Sequence, residues 1–279
     1  MIPAAFDYVR PSTVEEAIEL LSRHGSGAKV LAGGHSLLPA MKLRLAQPAV
    51  LIDIGRIARL REIREEGGRI AVGPLATHHE IASSPLLREK CPLLCEVAEQ
   101  IGDVQVRNRG TIGGSLVHAD PAADWPAAVL ALEAELEMTG PRGPRTLPAT
   151  KFFVDILQSA IEADEILTGI RVPATGKTVA YEKFAQKASG FALAGAAVVI
   201  EEGSVRVGIT GVGARAYRAV NVEKALRGKP PEAKRVAAAA KLAAEAIDPL
   251  GDIHASAPYR AHLACVLTRR AIERALARA

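Results

Sequence analysis

The sequence predicts an α+β protein in two parts, and three observations carry that reading. Short strand-like runs alternate with capped helical patterns over the first 173 residues. A small, turn-rich break, Pro173-Ala174-Thr175-Gly176, then separates two ordered-looking stretches and divides the chain into domains at 1–173 and 177–279. Beyond it, strand text at 178–184, 192–200 and 205–211 gives way to alanine-rich helices at 233–247 and 256–278, and this segregation suggests an α+β layer.

The first helix starts at Ser12-Thr13-Val14-Glu15-Glu16, where a hydroxyl cap and a carboxylate three positions on satisfy free backbone donors. Ala17, Ile18, Leu20 and Leu21 form its buried stripe, and His24-Gly25 ends it. A short strand, Lys29-Val30-Leu31, runs directly into Ala32-Gly33-Gly34-His35-Ser36. A second strand covers 50–54, and Gly67-Gly68 reads as a hairpin turn into Arg69-Ile70-Ala71-Val72-Gly73. Thr77 caps a helix over 78–83, and Pro92, early in its helix, introduces 93–101. The second glycine-rich stretch, Thr111-Ile112-Gly113-Gly114-Ser115, follows and reads as a turn. Past Trp125 a helix pattern on Ala127, Val129, Leu130 and Leu132 leads to strands at 135–139 and 165–172.

Hydrophobic residues at 49% against 24% charged describe a folding chain rather than a disordered one. The net charge of +4 is small for 279 residues, and the densest arginines (Arg269, Arg270, Arg274, Arg278) sit at helical spacing among apolar residues, so nucleic acid is not the expected partner. Cys91, Cys95 and Cys265 are too few for an iron–sulfur cluster, which wants about four thiolates, and read as thiols in a reducing compartment. No basic-then-apolar leader opens the sequence, and the longest apolar run, 191–200, is too short to cross a bilayer; the expected location is the cytoplasm.

The two glycine-rich turns are the strongest chemical signal. Paired glycines let a backbone approach an anion, and consecutive N–H groups can form a concave nest for a pyrophosphate. Neither turn carries a Gly-x-Gly-x-x-Gly or a Gly-Lys-Ser/Thr fingerprint, and taken alone either is ordinary turn chemistry. The surrounding text says more. The first turn reads Leu31-Ala32-Gly33-Gly34-His35-Ser36-Leu37-Leu38-Pro39, followed by Lys42-Leu43-Arg44 and Ile52-Asp53-Ile54. The second reads Gln105-Val106-Arg107-Asn108-Arg109-Gly110-Thr111-Ile112-Gly113-Gly114-Ser115-Leu116, followed by His118-Ala119-Asp120-Pro121-Ala122-Ala123-Asp124.

With these motifs, across nearly its whole length, the sequence resembles the FAD-binding medium subunits of the xanthine dehydrogenase/carbon monoxide dehydrogenase family of molybdenum hydroxylases. The resemblance implies a vanillyl-alcohol-oxidase-like (PCMH-type) fold, with α+β subdomains at about 1–55 and 56–173 and a flavoprotein C-terminal domain. It implies FAD held non-covalently, with Ala32, Gly33, Gly34, His35, Ser36 and Leu37 in one gripping loop and Thr111, Ile112, Gly113, Gly114 and Ser115 in the other. Asp124 falls where the family carries an acid near the FAD, and Lys187 near a basic flavin-site position. Ser115 stands where the family often has Asp, which removes an acceptor and keeps a hydroxyl. His35 occupies a turn that in other flavoproteins bonds the flavin covalently, but the resemblance is to the non-covalent branch.

The family further implies partners: a large subunit with the molybdenum cofactor and a small subunit with two [2Fe–2S] clusters, in a dimer of heterotrimers. Electrons would pass from substrate through the clusters to FAD here and on to an external acceptor. Two rivals stand beside this reading, a stand-alone FAD-dependent oxidase or reductase of the same fold and a scaffold subunit without flavin. The intact glycine pairs speak against the second, and the four tyrosines and small C-terminal domain against a dedicated substrate cap.

Other residues are read more plainly. His78 and His79 are adjacent, so on a helix they point apart and do not chelate one ion; a surface or interface role is expected. Arg107 and Arg109 are open to FAD phosphates, a partner or solvent. Trp125, the single tryptophan, is expected in core or interface packing, with stacking on adenine as the alternative, and no nucleophile–base spacing stands out.

Overall fold

The computed structural model describes residues 1–201 and 203–279. The chain opens with strand β1 (Asp7–Val9), helix α1 (Val14–His24), β2 (Ala28–Leu31), α2 (Leu37–Lys42) and β3 (Val50–Asp53). The three strands make a parallel sheet in the order β1-β3-β2. Helix α1 begins as its text requires: the Thr13 hydroxyl accepts from the Glu16 N–H at 3.1 Å, and Glu16 accepts from the Ser12 N–H at 2.8 Å. Its stripe of Val14, Ala17, Ile18 and Leu21 packs with Val50, Ile52 and Ile54 in a small core.

The middle of the chain supplies β4 (Ile63–Glu66), β5 (Arg69–Val72), α3 (His78–Ser83), α4 (Pro85–Lys90), α5 (Pro92–Glu99), α6 (Val104–Arg109), α7 (Ile112–His118) and α8 (Trp125–Ala131). The strands β6 (Glu135–Gly140), β7 (Gly143–Pro148), β8 (Phe153–Asp155), β9 (Gln158–Ser159) and β10 (Ile166–Pro173) follow. An antiparallel sheet, β4-β5-β10-β6-β7, turns one face to the helices. Alternation along β6 is clean: Leu136 and Met138 face the core, while Glu135 and Glu137 face out and pair with Arg69 and Arg171.

The last part contains β11 (Val179–Ala185), β12 (Ala192–Glu201), β13 (Ser204–Thr210), β14 (Tyr217–Arg218), α9 (Val220–Leu226), α10 (Ala233–Ala240) and α11 (Ala257–Leu276). Its antiparallel sheet, β11-β12-β13-β14, is covered on both faces. Ala194, Ala196 and Val198 pack under α10 and α11, while Tyr181, Ala197 and Val199 join the core of the middle region against α5 and α8. Double coverage explains why β12 reads as an unbroken apolar run rather than an alternating one. Contact with α8 is close enough to demand Gly208, where a Cβ would stand 2.0 Å from the Ala127 carbonyl oxygen.

Several stretches differ from what the sequence suggests. Residues 37–42, 104–109 and 112–118 are helical where the text reads as loop or turn, 63–66 and 143–148 are strands, and the helix expected over 233–247 ends at Ala240. Among the described residues no helix is long and apolar enough to cross a membrane. Cys91 and Cys95 are buried free thiols; burial pushes Cys91 up to about 12 and Cys95 above its usual range, so neither is a ready nucleophile.

Candidate functional site

The first glycine loop leaves the carboxyl end of β2 and enters α2, at the end of a parallel sheet where α/β proteins commonly seat ligands. Gly34 has φ +79°, a left-handed conformation that suits glycine, and Ser36 is right-handed. From Gly33 to Leu37, five successive backbone N–H groups find no acceptor among the described residues. Such a run, at a turn combining left- and right-handed residues, is the concave donor array an anion fits.

The second glycine motif is built differently. Thr111 caps α7, and Gly113 and Gly114 lie in that helix's first turn. Their amides are already engaged: Ile112 N–H donates to the Ala76 carbonyl at 3.1 Å, Gly113 N–H to Pro74 at 2.9 Å, Gly114 N–H to the Thr111 hydroxyl at 3.1 Å, and Ser115 N–H to Thr111 at 3.1 Å. Free amides, which a nest requires and the sequence suggests for both motifs, are therefore present in the first alone. Gly113 serves packing, since a Cβ there would lie 2.3 Å from the Pro74 Cβ. Gly114 faces the other loop, its missing Cβ 3.8 Å from the Ala32 Cβ.

The two motifs touch. A Cβ on Gly33 would fall 2.2 Å from the Arg109 carbonyl oxygen and 2.9 Å from the Gly110 Cα. Glycine at 33 thus brings the first loop flush against the turn that enters α7, so the two motifs are neighbours in the fold. Among the remaining expected site residues, His35 and Ser36 are exposed, Leu37, Gly114 and Ser115 half-buried, and Thr111, Ile112 and Gly113 buried.

Asp124 is buried, its two oxygens taken by the Tyr181 hydroxyl at 2.5 Å and the Lys183 ammonium at 2.9 Å. Burial pushes its carboxyl up, against the opposing pull of Lys183 and Tyr181, and the same burial with Asp124 beside it pushes the Tyr181 phenol well up. Lys183, which also donates to the Gln100 carbonyl at 3.0 Å, is absent from the sequence reading; a lysine inside the strand text of 178–184 was the available signal. Lys187 is exposed in the turn over 186–190, whose Gly190 packs on Gly102 just before α6. Arg107 donates to the Ile101 and Gly102 carbonyls at 3.0 and 3.1 Å, and Arg109 is exposed.

His78 departs from expectation. His79 is exposed, but His78 is only 4% exposed, and Trp125, fully buried as expected, donates its indole N–H to His78 Nδ1 at 3.1 Å. Burial pushes the imidazole down to about 4, so the ring is neutral at physiological pH. Among the described residues no three His, Cys, Asp or Glu side chains gather to hold a metal ion. A hollow of about 510 Å³ between α1 and β6, lined by Glu15, Ile18, Arg23 and Thr139, contains none of the glycine-loop residues; the first glycine loop is the better candidate because it presents a run of successive amides without a protein acceptor.

Known proteins resemble this chain over nearly its whole length. Residues 4–175 match the FAD binding domain in molybdopterin dehydrogenase, and residues 179–275 match the CO dehydrogenase flavoprotein C-terminal domain. The carbon monoxide dehydrogenase medium chain of Hydrogenophaga pseudoflava is 44% identical over 285 residues, covering 100% of this chain and 99% of that one. The nicotine 6-hydroxylase medium subunit of Paenarthrobacter nicotinovorans is 37% identical, covering 98% of each. A solved structure of the H. pseudoflava carbon monoxide dehydrogenase, lacking the Mo-pyranopterin moiety of its cofactor, superposes with a TM-score of 0.96 at 44% identity, covering 100% of this chain and 99% of that one. The chain belongs to the FAD-binding medium subunits of the carbon monoxide dehydrogenase/xanthine dehydrogenase family, and so is a component of an oxidoreductase.

Proposed function

We propose that this chain holds FAD non-covalently and serves as the electron-transfer subunit of a molybdenum hydroxylase. One observation supports the site above all: Gly33 seats the free-amide loop directly on the Arg109–Gly110 turn, so one extended dinucleotide can meet both motifs. In this reading the amides of Gly33, Gly34, His35, Ser36 and Leu37 neutralise the diphosphate, with Ala32 as the wall behind them. Thr111, Ile112, Gly113, Gly114 and Ser115 form the opposing surface, Gly114 by leaving room and Ser115 by its hydroxyl. Asp124 and Lys187 flank the site, Asp124 through its anchoring of Lys183.

FAD supplies the capacity to take up an electron pair and release it; the chain's own task is to bind, orient and tune it. In such an assembly a small partner subunit would hold the [2Fe–2S] clusters that supply electrons, a large one would hold the molybdenum cofactor, and an external acceptor would receive them. The assembly is a dimer of heterotrimers in the cytoplasm. Residues 1–173 form the FAD-binding domain, with subdomains about 1–55 and 56–173, and 177–279 the flavoprotein C-terminal domain.

The test is reconstitution. The chain mixed with FAD takes up one equivalent, seen as a bound flavin visible spectrum, and Gly33→Ala and Gly114→Val lose it while circular dichroism stays near that of the parent. No uptake by the parent, or full uptake by both variants, overturns the loop assignment. Mass spectrometry of the natively purified assembly shows molybdenum and iron–sulfur subunits travelling with the chain; fast turnover of an organic substrate by the chain alone refutes the electron-transfer role.

A further inference from the structure

His78 lies outside both glycine motifs, yet it sits under their junction. Its backbone N–H donates to the Gly110 carbonyl at 3.0 Å, and a Cβ on Gly110 would come within 2.6 Å of its Nε2. Gly110 itself has φ −60° and ψ 140°, a conformation open to any residue, so glycine stands there for the space the imidazole takes. Gly33 packs on the same Arg109–Gly110 backbone from the other loop.

The ring is also oriented. Trp125 donates only, so His78 Nδ1 must accept, which leaves the ring's proton on Nε2. That Nε2–H finds no acceptor among the described residues, although the residue is 4% exposed. Nε2 is not one of the enclosed polar atoms left without a partner, so it reaches the surface beside Gly110, where its N–H is free to donate to a ligand atom.

We propose that His78 is a further FAD-binding residue: its Nε2–H, aimed by Trp125 at the junction of the two loops, donates to an oxygen of the dinucleotide. The inference rests on the FAD reading above. Trp125 is the indirect, positioning member of the pair, and as the sole tryptophan it is also an optical probe of the site.

Three variants test it by FAD affinity, measured as quenching of free-flavin emission. His78→Phe keeps a ring and removes both nitrogens; affinity falls about tenfold or more, the scale of one lost hydrogen bond to a charged or strongly polar acceptor. His78→Gln, which restores an N–H donor and a carbonyl acceptor, recovers most of that loss, as a purely space-filling role would not. Trp125→Phe frees the tautomer and weakens binding several-fold. In the parent, ADP, which carries the diphosphate without the flavin's absorption, shifts Trp125 emission, and in His78→Phe it does not. A parent that takes up no FAD overturns the flavin reading and this inference with it. A parent that binds while folded His78→Phe binds equally, or while His78→Gln is as weak as His78→Phe, overturns this inference alone. Should His78→Phe fail to fold, unchanged affinity in Trp125→Phe overturns it.

Discussion

A buried ion pair and a buried histidine govern this chain at the scale of single side chains, and each makes a measurable prediction. The Lys183 ammonium is 3% exposed and the Asp124 side chain 5%, so each neutralises a charge the other cannot leave to water. Asp124→Ala strands the lysine and is expected to cost about 3 to 5 kcal/mol in urea denaturation, whereas the double change Asp124→Leu/Lys183→Met costs much less. Equal losses in the single and double variants would show that the pair is not coupled. His78 makes the pH prediction. Its folded pKa of about 4 lies below the 6.5 of an unfolded imidazole, so as pH falls the unfolded chain takes the proton first. Stability from this group is complete above about 6.5 and is lost through the window down to about 4, a difference of about 3 kcal/mol at 1.36 kcal/mol per unit. Urea midpoints at pH 7 and pH 4.5 should therefore converge in His78→Gln relative to the parent; an identical acid loss in both would assign the sensitivity elsewhere.

Among the elements, close approach decides which glycines matter. Helix α8 lies on β13 so tightly that Gly208→Ala drives a methyl into the Ala127 carbonyl. Overpacking of this kind costs about 1 to 3 kcal/mol, and a lowered thermal midpoint would show it. Gly176, exposed in the break after β10, has nothing within 4 Å of its missing Cβ and no positive φ, so Gly176→Ala is expected to stay within about 0.5 kcal/mol of the parent by the same assay. The same distinction separates what was legible in the sequence from what was not. Thr13, Glu16 and Gly25 mark α1 because capping is local chemistry, and Gly67-Gly68 marks the β4–β5 hairpin for the same reason. Helix α7 was illegible because its first amides are fixed by Pro74 and Ala76, more than thirty residues upstream, and its glycines look like a turn until that contact is known. His78 looked like a surface residue because its partner, Trp125, is 47 positions away. The first glycine loop was readable as a turn because its left-handed residue, Gly34, lies within it, whereas the packing of Gly33 on Arg109 and Gly110 was not.

At the scale of the molecule, the break at 173–176 separates stretches of sequence without separating cores. Tyr181, Ala197 and Val199 of the last sheet belong to the hydrophobic cluster that holds Trp125, Leu94 and Ile170, while the other face of the same sheet closes over α11. Polar links reinforce the seam: Lys183 and Tyr181 reach Asp124, Gln100 donates to the Tyr181 carbonyl at 3.1 Å, Tyr181 N–H donates to Glu96 at 2.8 Å, and Arg278 bonds Glu96 at 2.7 Å. Neither side can open without uncovering apolar surface of the other, and a shared core of this kind couples their unfolding. Calorimetry of the full chain is therefore expected to give one transition, with the van't Hoff and calorimetric enthalpies equal. Asp124→Ala, which acts at the seam, should lower that single midpoint rather than split it. Two resolved transitions in the parent would mean that the interface is the ordinary, separable contact of independent domains, and that Tyr181 and Lys183 of the C-terminal sheet do not brace Asp124.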